Sequence, residues 1–396
     1  MSSALPVSPG PPDVPPDSAL GVFDVPGCPA CRHIAEASKK YLAWLVAGGY
    51  QDADVMQRLS ASRGMCAAHT RRVLAEPGAG ARLVRVYGHV IDNAVADIGA
   101  RPATCPACDH VASAADRLFG HMLGEATRGD RRTYKDHGGL CVPHLRRAAV
   151  ARRGADILWL VRFMIVRLTE ESPSLDLVAG HADAAAQLVL PGASGADLAT
   201  CAVCATGAEA AYTDRDRGPQ DCMCAQHLRD VVSSSGCGAT ALLTEQAALH
   251  AARLGQVVDG RARSLGNYLS VRARRALADP DCPLCRSSDT ACAREVSRVA
   301  SALRESATAP SARPALCLRH ARDVQAVDQL AGRIAEAYVG DRGQLLLGQL
   351  RAAVDSGVGG PPAGSASPAV TAVRRAALFL DGSTFGLLPR TACPGG

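Results

Sequence analysis

Thiols and imidazoles recur along this chain at spacings that suit a metal ion. Cys28-Pro29-Ala30-Cys31 is followed by Cys66-Ala67-Ala68-His69, and Cys105-Pro106-Ala107-Cys108 by Cys141-Val142-Pro143-His144. Cys201-Ala202-Val203-Cys204 is followed by Cys224-Ala225-Gln226-His227, and Cys282-Pro283-Leu284-Cys285 by Cys317-Leu318-Arg319-His320. Three thiolates and one neutral imidazole form a tetrahedral zinc set. Taken in chain order, each Cys-x-x-Cys joins the Cys-x-x-His that follows it, which predicts four Cys3His modules and three to four Zn2+ per chain. A Cys-x-x-Cys places two thiolates on one tight turn, and proline after the first Cys stiffens that turn. In the second half-site the Cys stands just before a helix and the His lies in its first turn, where the positive helix end favours the thiolate.

The repetition extends beyond the ligands. The residue before the third Cys is Met65, Leu140, Met223 or Leu316, and two positions after the His stands Arg71, Arg146, Arg229 or Arg322. Four positions after it comes Val73, Ala148, Val231 or Val324. A pattern of apolar-Cys-x-x-His-x-Arg-x-apolar marks internal duplication. The shared Arg is expected to hydrogen-bond a carboxylate or a helix end inside its own module; a row of phosphate-binding arginines is the sharper alternative. The third module is aberrant: 19 residues separate Cys204 from Cys224, against 31 to 34 elsewhere, and its first half-site lacks the Pro. Cys222 offers a competing thiol there. Cys292 reads as a core thiol, Cys237 and Cys393 as free thiols, and His89, His110, His121 and His250 as surface or core residues.

Other chemistry fits less well. A lone CPxC suits a thioredoxin-like redox pair, but that motif needs a βαβ setting and no β-rich run precedes any of these. Iron–sulfur ligation stays open because clusters also use Cys, although the spacing matches no ferredoxin run. A catalytic zinc keeps one position for water, whereas these sets supply four protein ligands. The chain also holds no Gly-rich phosphate loop, nucleophile elbow or paired-carboxylate motif. The expectation is therefore a non-enzymatic protein.

The elements that carry the ligands read as helices. After Cys31 the stripe Ile34, Tyr41 and Leu45 closes at Gly48-Gly49, and Val111, Leu118 and Met122 stand at the same offsets from Cys108. A short helix is expected over 52–59, a third over about 67–76 and a long one over 81–98. A helix apolar all round is expected over 155–170 and a long one over 239–277. Aromatic residues make up only 4% of a chain that is 47% hydrophobic, so the cores must be Ala, Leu and Val, which favours close-packed helices. The fold class is accordingly all-α, with four related modules arranged as two similar halves. Residues 1–20 read as a Pro-rich disordered arm, 21–180 as the first helical domain, 181–195 as a linker, 196–355 as the second domain and 356–396 as a flexible tail. Within that tail, 369–380 suit a short helix and Phe385–Leu388 a docking segment.

Composition limits the partners. Net charge is +5 and the positive residues are almost all Arg, which permits nucleic-acid contact without arguing for it, and surface aromatics for base stacking are scarce. No apolar run is long enough to span a membrane, and the N-terminus lacks a secretory signal. A reducing cytoplasm is the expected compartment. The tandem CPxC, helix, apolar-Cys-x-x-His-x-Arg pattern over residues 24–350 resembles a group of uncharacterised bacterial helical proteins with paired CPxC and CxxH half-sites. That resemblance implies a helical, zinc-stabilised fold and brings no activity. The expected role is a structural adaptor with a protein partner. A thiol or zinc redox sensor, and an Arg-mediated nucleic-acid binder, are the alternatives.

Overall fold

The computed structural model describes residues 27–76, 78–124, 138–151, 157–171, 173–180, 201–214, 221–235, 239–262, 282–305, 315–355 and 367–381. The expected N-terminal arm, the 181–195 linker, Cys237 and the segment from Phe385 to Gly396 lie outside these residues. Among the described residues every regular element is helical. The first half contains α1 (Pro29–Ala47), a 3-10 turn (Gly49–Gln51), α2 (Ala53–Ala61), α3 (Ala67–Leu74), α4 (Ala79–Ala96), α5 (Pro106–Gly124), α6 (Val142–Ala151), α7 (Leu158–Glu170) and α8 (Leu175–Ala179). The second half contains α9 (Ala202–Asp214), α10 (Ala225–Ser235), α11 (Ala239–Ala262), α12 (Pro283–Glu305), α13 (Leu318–Val327), α14 (Gln329–Asp355) and α15 (Pro368–Asp381).

Local sequence explains the boundaries. Pro29 stands at the first position of α1 behind Cys28, where a missing N–H costs nothing, and Gly48 ends the helix at φ +147°. Asp52 caps α2 through its carboxylate, which accepts the Asp54 N–H at 2.8 Å. Ser174 caps α8 in the same manner, accepting the Leu177 N–H at 3.1 Å. Helix α7 buries Leu160, Val161, Met164 and Leu168 while Val166 faces outward, so it has one buried face rather than the all-round burial that its composition suggested.

The two halves correspond helix by helix: α1 to α9, α3 to α10, α4 to α11, α5 to α12, α6 to α13, α7 to α14 and α8 to α15. Helix α2 and the 3-10 turn have no counterpart among the described residues of the second half, which accounts for the short Cys204–Cys224 interval. Within each half the CxxC helices pair, α1 on α5 and α9 on α12. The long helices instead pair across the halves: α4 packs on α14, and α11 on α7. The terminal helices are exchanged as well, α15 lying on α3 and α4, and α8 on α10 and α11.

Both cores are consequently shared. One gathers Tyr87, Val90 and Ile91 of α4 with Val339 and Leu347 of α14 and Val373 and Phe379 of α15. The other gathers Leu160 and Met164 of α7 with Leu254 and Val257 of α11 and Val178 of α8. Residues 368–381, expected within a flexible tail, are thus a core element of the first half's helices. Close approach at the seam relies on small residues. Gly343 of α14 sits where an added Cβ would come within 2.5 Å of Val95 on α4.

Candidate metal centres

Every half-site starts a helix. From Cys66 onward each first Cys offers its carbonyl to the N–H four positions on, as in Cys66 to Thr70 (2.9 Å), Cys105 to Asp109 (3.1 Å), Cys201 to Ala205 (3.0 Å) and Cys317 to Ala321 (2.9 Å), and Cys28 caps α1. The first Cys is therefore the cap residue, and the second Cys or His falls in the first turn on the same side. The CxxC motifs share this arrangement with the CxxH motifs, so they are more than tight turns.

The half-sites gather into four groups, and the grouping corrects the chain-order pairing. Cys28 and Cys31 meet Cys141 and His144; Cys66 and His69 meet Cys105 and Cys108. Cys201 and Cys204 meet Cys317 and His320; Cys224 and His227 meet Cys282 and Cys285. In each half the first CxxC takes the last CxxH, and the two middle half-sites take each other. The sixteen residues are those named from sequence, but none of the four expected CxxC–CxxH partnerships forms. The cause is helix packing: α1 lies against α5 and carries its CxxC to the start of α6 instead of to α3. The third module's short interval does not bear on its metal site. Cys204 and Cys224 belong to different groups, so no metal closes the segment between them.

The geometry fits one tetrahedral cation per group. In the first, His144 Nδ1 lies 3.5, 3.3 and 3.1 Å from the Sγ atoms of Cys28, Cys31 and Cys141. In the second, His69 Nδ1 lies 3.3, 3.7 and 3.4 Å from Cys66, Cys105 and Cys108. His320 Nδ1 is 3.3 Å from each of Cys201, Cys204 and Cys317. His227 Nδ1 is 3.3, 3.5 and 3.3 Å from Cys224, Cys282 and Cys285. One sulfur pair of each group is separated by 3.6 Å (Cys31–Cys141), 3.7 Å (Cys66–Cys108), 4.0 Å (Cys204–Cys317) and 3.8 Å (Cys224–Cys285), and all donor atoms of a group lie within 4.8 Å of one another. A tetrahedron with zinc–sulfur bonds of about 2.3 Å has edges of about 3.8 Å, whereas a disulfide would bring the sulfurs to about 2.05 Å. All four imidazoles present Nδ1 to the thiols.

Electrostatics points the same way. Hydrogen bonds from Cys108 and Cys66 hold the Cys105 thiol far below its usual range, and those with Cys105 and Cys66 push Cys108 far above it. Cys201 and Cys204 divide likewise. Hydrogen bonding from Cys224 draws Cys282 down to about 3, while burial and the Cys282 charge push Cys285 up to about 11. Burial pulls His69 down, but hydrogen bonds to Cys105 and Cys66 and their charge outweigh it and raise it to about 9. Three thiols this close cannot all ionise without a cation, and a divalent ion supplies the missing charge. Two helix N-termini converge on each group and add to that field.

Two of the recurring arginines, Arg146 and Arg229, reach beyond their modules, which corrects the expected local role for them. Arg229 on α10 donates to the carbonyls of Ala179 and Gly180 (2.8 Å to the latter) at the end of α8, in the other half. Gly180, at φ +77°, roofs the first group: an added Cβ would lie 3.2 Å from the Cys141 sulfur and 3.6 Å from that of Cys31. Arg146 on α6, buried, donates to His250 Nδ1 of α11 at 2.8 Å. Among the described residues Arg322 on α13 has a 3.9 Å contact with Asp323 of its own helix. Cys222 belongs to none of the four groups; burial, the largest influence, raises its pKa, and Arg253 and Arg146 oppose that. Cys292 donates to the Val203 carbonyl at 3.5 Å, a packing role as expected. His250, which its spacing places on an ordinary helical face, pairs with Arg146 across 104 positions, a separation that no local pattern spans.

No known protein family, curated protein or solved structure matches the chain.

Proposed function

We propose that the chain is a zinc-stabilised, non-catalytic helical scaffold carrying four Zn2+. The observation that supports this is the closed donor set of each group, three sulfurs and one Nδ1 within 4.8 Å of one another and all from the protein. A catalytic ion would need a position left for water. Cys28, Cys31, Cys141 and His144 hold the first ion; Cys66, His69, Cys105 and Cys108 the second; Cys201, Cys204, Cys317 and His320 the third; Cys224, His227, Cys282 and Cys285 the fourth. Each ion ties together two helix starts that are distant in sequence, so metal binding is folding energy, on the order of 10 kcal/mol per site. Zinc is favoured over iron by the Cys3His composition.

The partner in this reading is a protein. The corner between α13 and α14 leaves Val327 and Leu330 more than half exposed, and few aromatic residues are present to stack on bases. No helix among the described residues is long and apolar enough to cross a membrane.

Elemental analysis of protein expressed without added metal tests the reading. Four zinc ions per chain are expected. Fewer than two, or an iron–sulfur absorbance, overturns it.

A further inference from the structure

The second metal group has a cavity beside it whose charge the scaffold reading does not use. A pocket of about 250 Å³ opens at the seam between the halves, next to Cys66 and Cys105. Arg63 forms part of one side, Arg319 and Arg322 of α13 part of another, and Leu380 of α15 contributes an apolar wall. Among the described residues no carboxylate lines it.

The three guanidinium groups differ in what they have to offer. Arg63 is buried, and one of its nitrogens already donates to the carbonyls of Asp97, Ile98 and Ala100, at 3.3, 2.7 and 2.7 Å. It is a fixed charge. Burial first, and then the charge of Arg322, lower its pKa, so the two cations lie close enough to repel. Arg319 makes no hydrogen bond or carboxylate ion pair among the described residues, and Arg322 has only its 3.9 Å contact with Asp323. Their donors are available to a ligand.

The other half shows what is missing. Arg146, the counterpart of Arg322, is buried against His250. Gln246 on α11 accepts the Met223 N–H, and Tyr87 on α4 bonds the backbone of Met65, so these two positions correspond. Four residues on, His250 corresponds to Ile91, which is buried and apolar. Arg322 therefore has no imidazole to accept from it, and the space that opens beside it is lined by cations.

We infer that this pocket binds a small oxyanion of the phosphate or phosphomonoester class, gripped by Arg319 and Arg322 over the fixed charge of Arg63. Guanidinium forks match phosphate oxygens in pairs. The cavity is smaller than the roughly 300–1,000 Å³ of sites for drug-sized ligands, which limits the occupant to a phosphate with a compact apolar substituent against Leu380. Such an anion would bridge α13 of one half to the α2–α3 turn of the other.

Inorganic phosphate is the probe. Calorimetric titration of the metal-loaded full chain should show one saturable site, with binding weakened at least about tenfold in Arg319→Gln and in Arg322→Gln. Arg319 is exposed, so its substitution leaves the fold intact, and metal analysis of both variants should give the wild-type content. Exposed Arg304→Gln, away from the pocket, should bind as wild type does. Absence of saturable phosphate binding overturns the inference. So does equal binding by wild type and Arg319→Gln, or an equal loss in Arg304→Gln.

Discussion

Cys28 shares its donor group with His144, 116 positions away, its sulfur 3.5 Å from Nδ1, and not with His69 of its own module. The nesting makes a stoichiometric prediction. Cys28→Ser and Cys141→Ser should each remove one zinc, and the double variant should still remove only one, because both belong to one group. Cys28→Ser combined with Cys66→Ser should remove two. Chain-order pairing gives the opposite pattern, with Cys28 and Cys66 sharing one ion. Metal analysis of the four proteins decides between them, and calorimetric zinc affinity checks that the remaining sites are intact.

The sequence carried the donors but not their partnership. CxxC and CxxH announce themselves by local spacing, since each ligand pair sits at the cap and first turn of one helix. Which helix start faces which is decided by packing. The stripe of α1, with Tyr41 and Leu45, is apolar enough to lie on any neighbour, and nothing in its spacing names α5. The exchange of α15 was hidden for the same reason. Val373, Ala376 and Phe379 show a helical period, but the Gly- and Pro-rich segment before them suggested a free tail. The helical class was legible because it needs only local period and the absence of aromatic and β-branched runs.

The seam between halves should respond sharply to volume. Gly343→Ala puts a methyl against Val95, a short β-branched side chain packed half-buried against the core, and should cost about 1–3 kcal/mol. Gly348 lies on the same helix with nothing within 4 Å of an added Cβ. Gly348→Ala should therefore stabilise by roughly 0.5–1 kcal/mol through helix propensity alone. Urea unfolding of the two variants with zinc bound measures both. Equal effects would remove the α4–α14 contact from the account.

His250 sets a pH dependence. Burial, then the charges of Arg146 and Arg253, lower its pKa to about 3, so the folded protein holds it neutral. Its unfolded value is about 6.5, so above that pH neither state binds the proton and the full contribution is present. As pH falls from there towards 3 only the unfolded chain takes up the proton, and stability is lost. Between pH 7.5 and pH 5 the loss should be about 2 kcal/mol. Zinc release also weakens the protein in acid, so the measurement is the difference between wild type and His250→Gln, which keeps an acceptor for Arg146 without the titration. An identical pH slope in both would show that His250 is not held neutral.

The four groups should lose metal in a fixed order. Cys224, His227 and Cys285 of the fourth group are half-buried, and only Cys282 is fully enclosed. In the third group Cys201, Cys317 and His320 are all buried, leaving Cys204 half-buried. Attack on a metal-bound thiolate needs access by the reagent, so mild peroxide with a chromogenic chelator should release zinc first from the fourth group and last from the third. Cys222 is adjacent in sequence to the fourth group's first half-site but lies outside the donor set, among Arg146 and Arg253. Cys222→Ser should therefore leave the rate and reversibility of the first release unchanged. Mass-spectrometric mapping of the first modified cysteines identifies the group. Early modification of Cys201 or Cys317, or a first release that depends on Cys222, would place the accessible thiolates elsewhere and turn the chain from scaffold towards sensor.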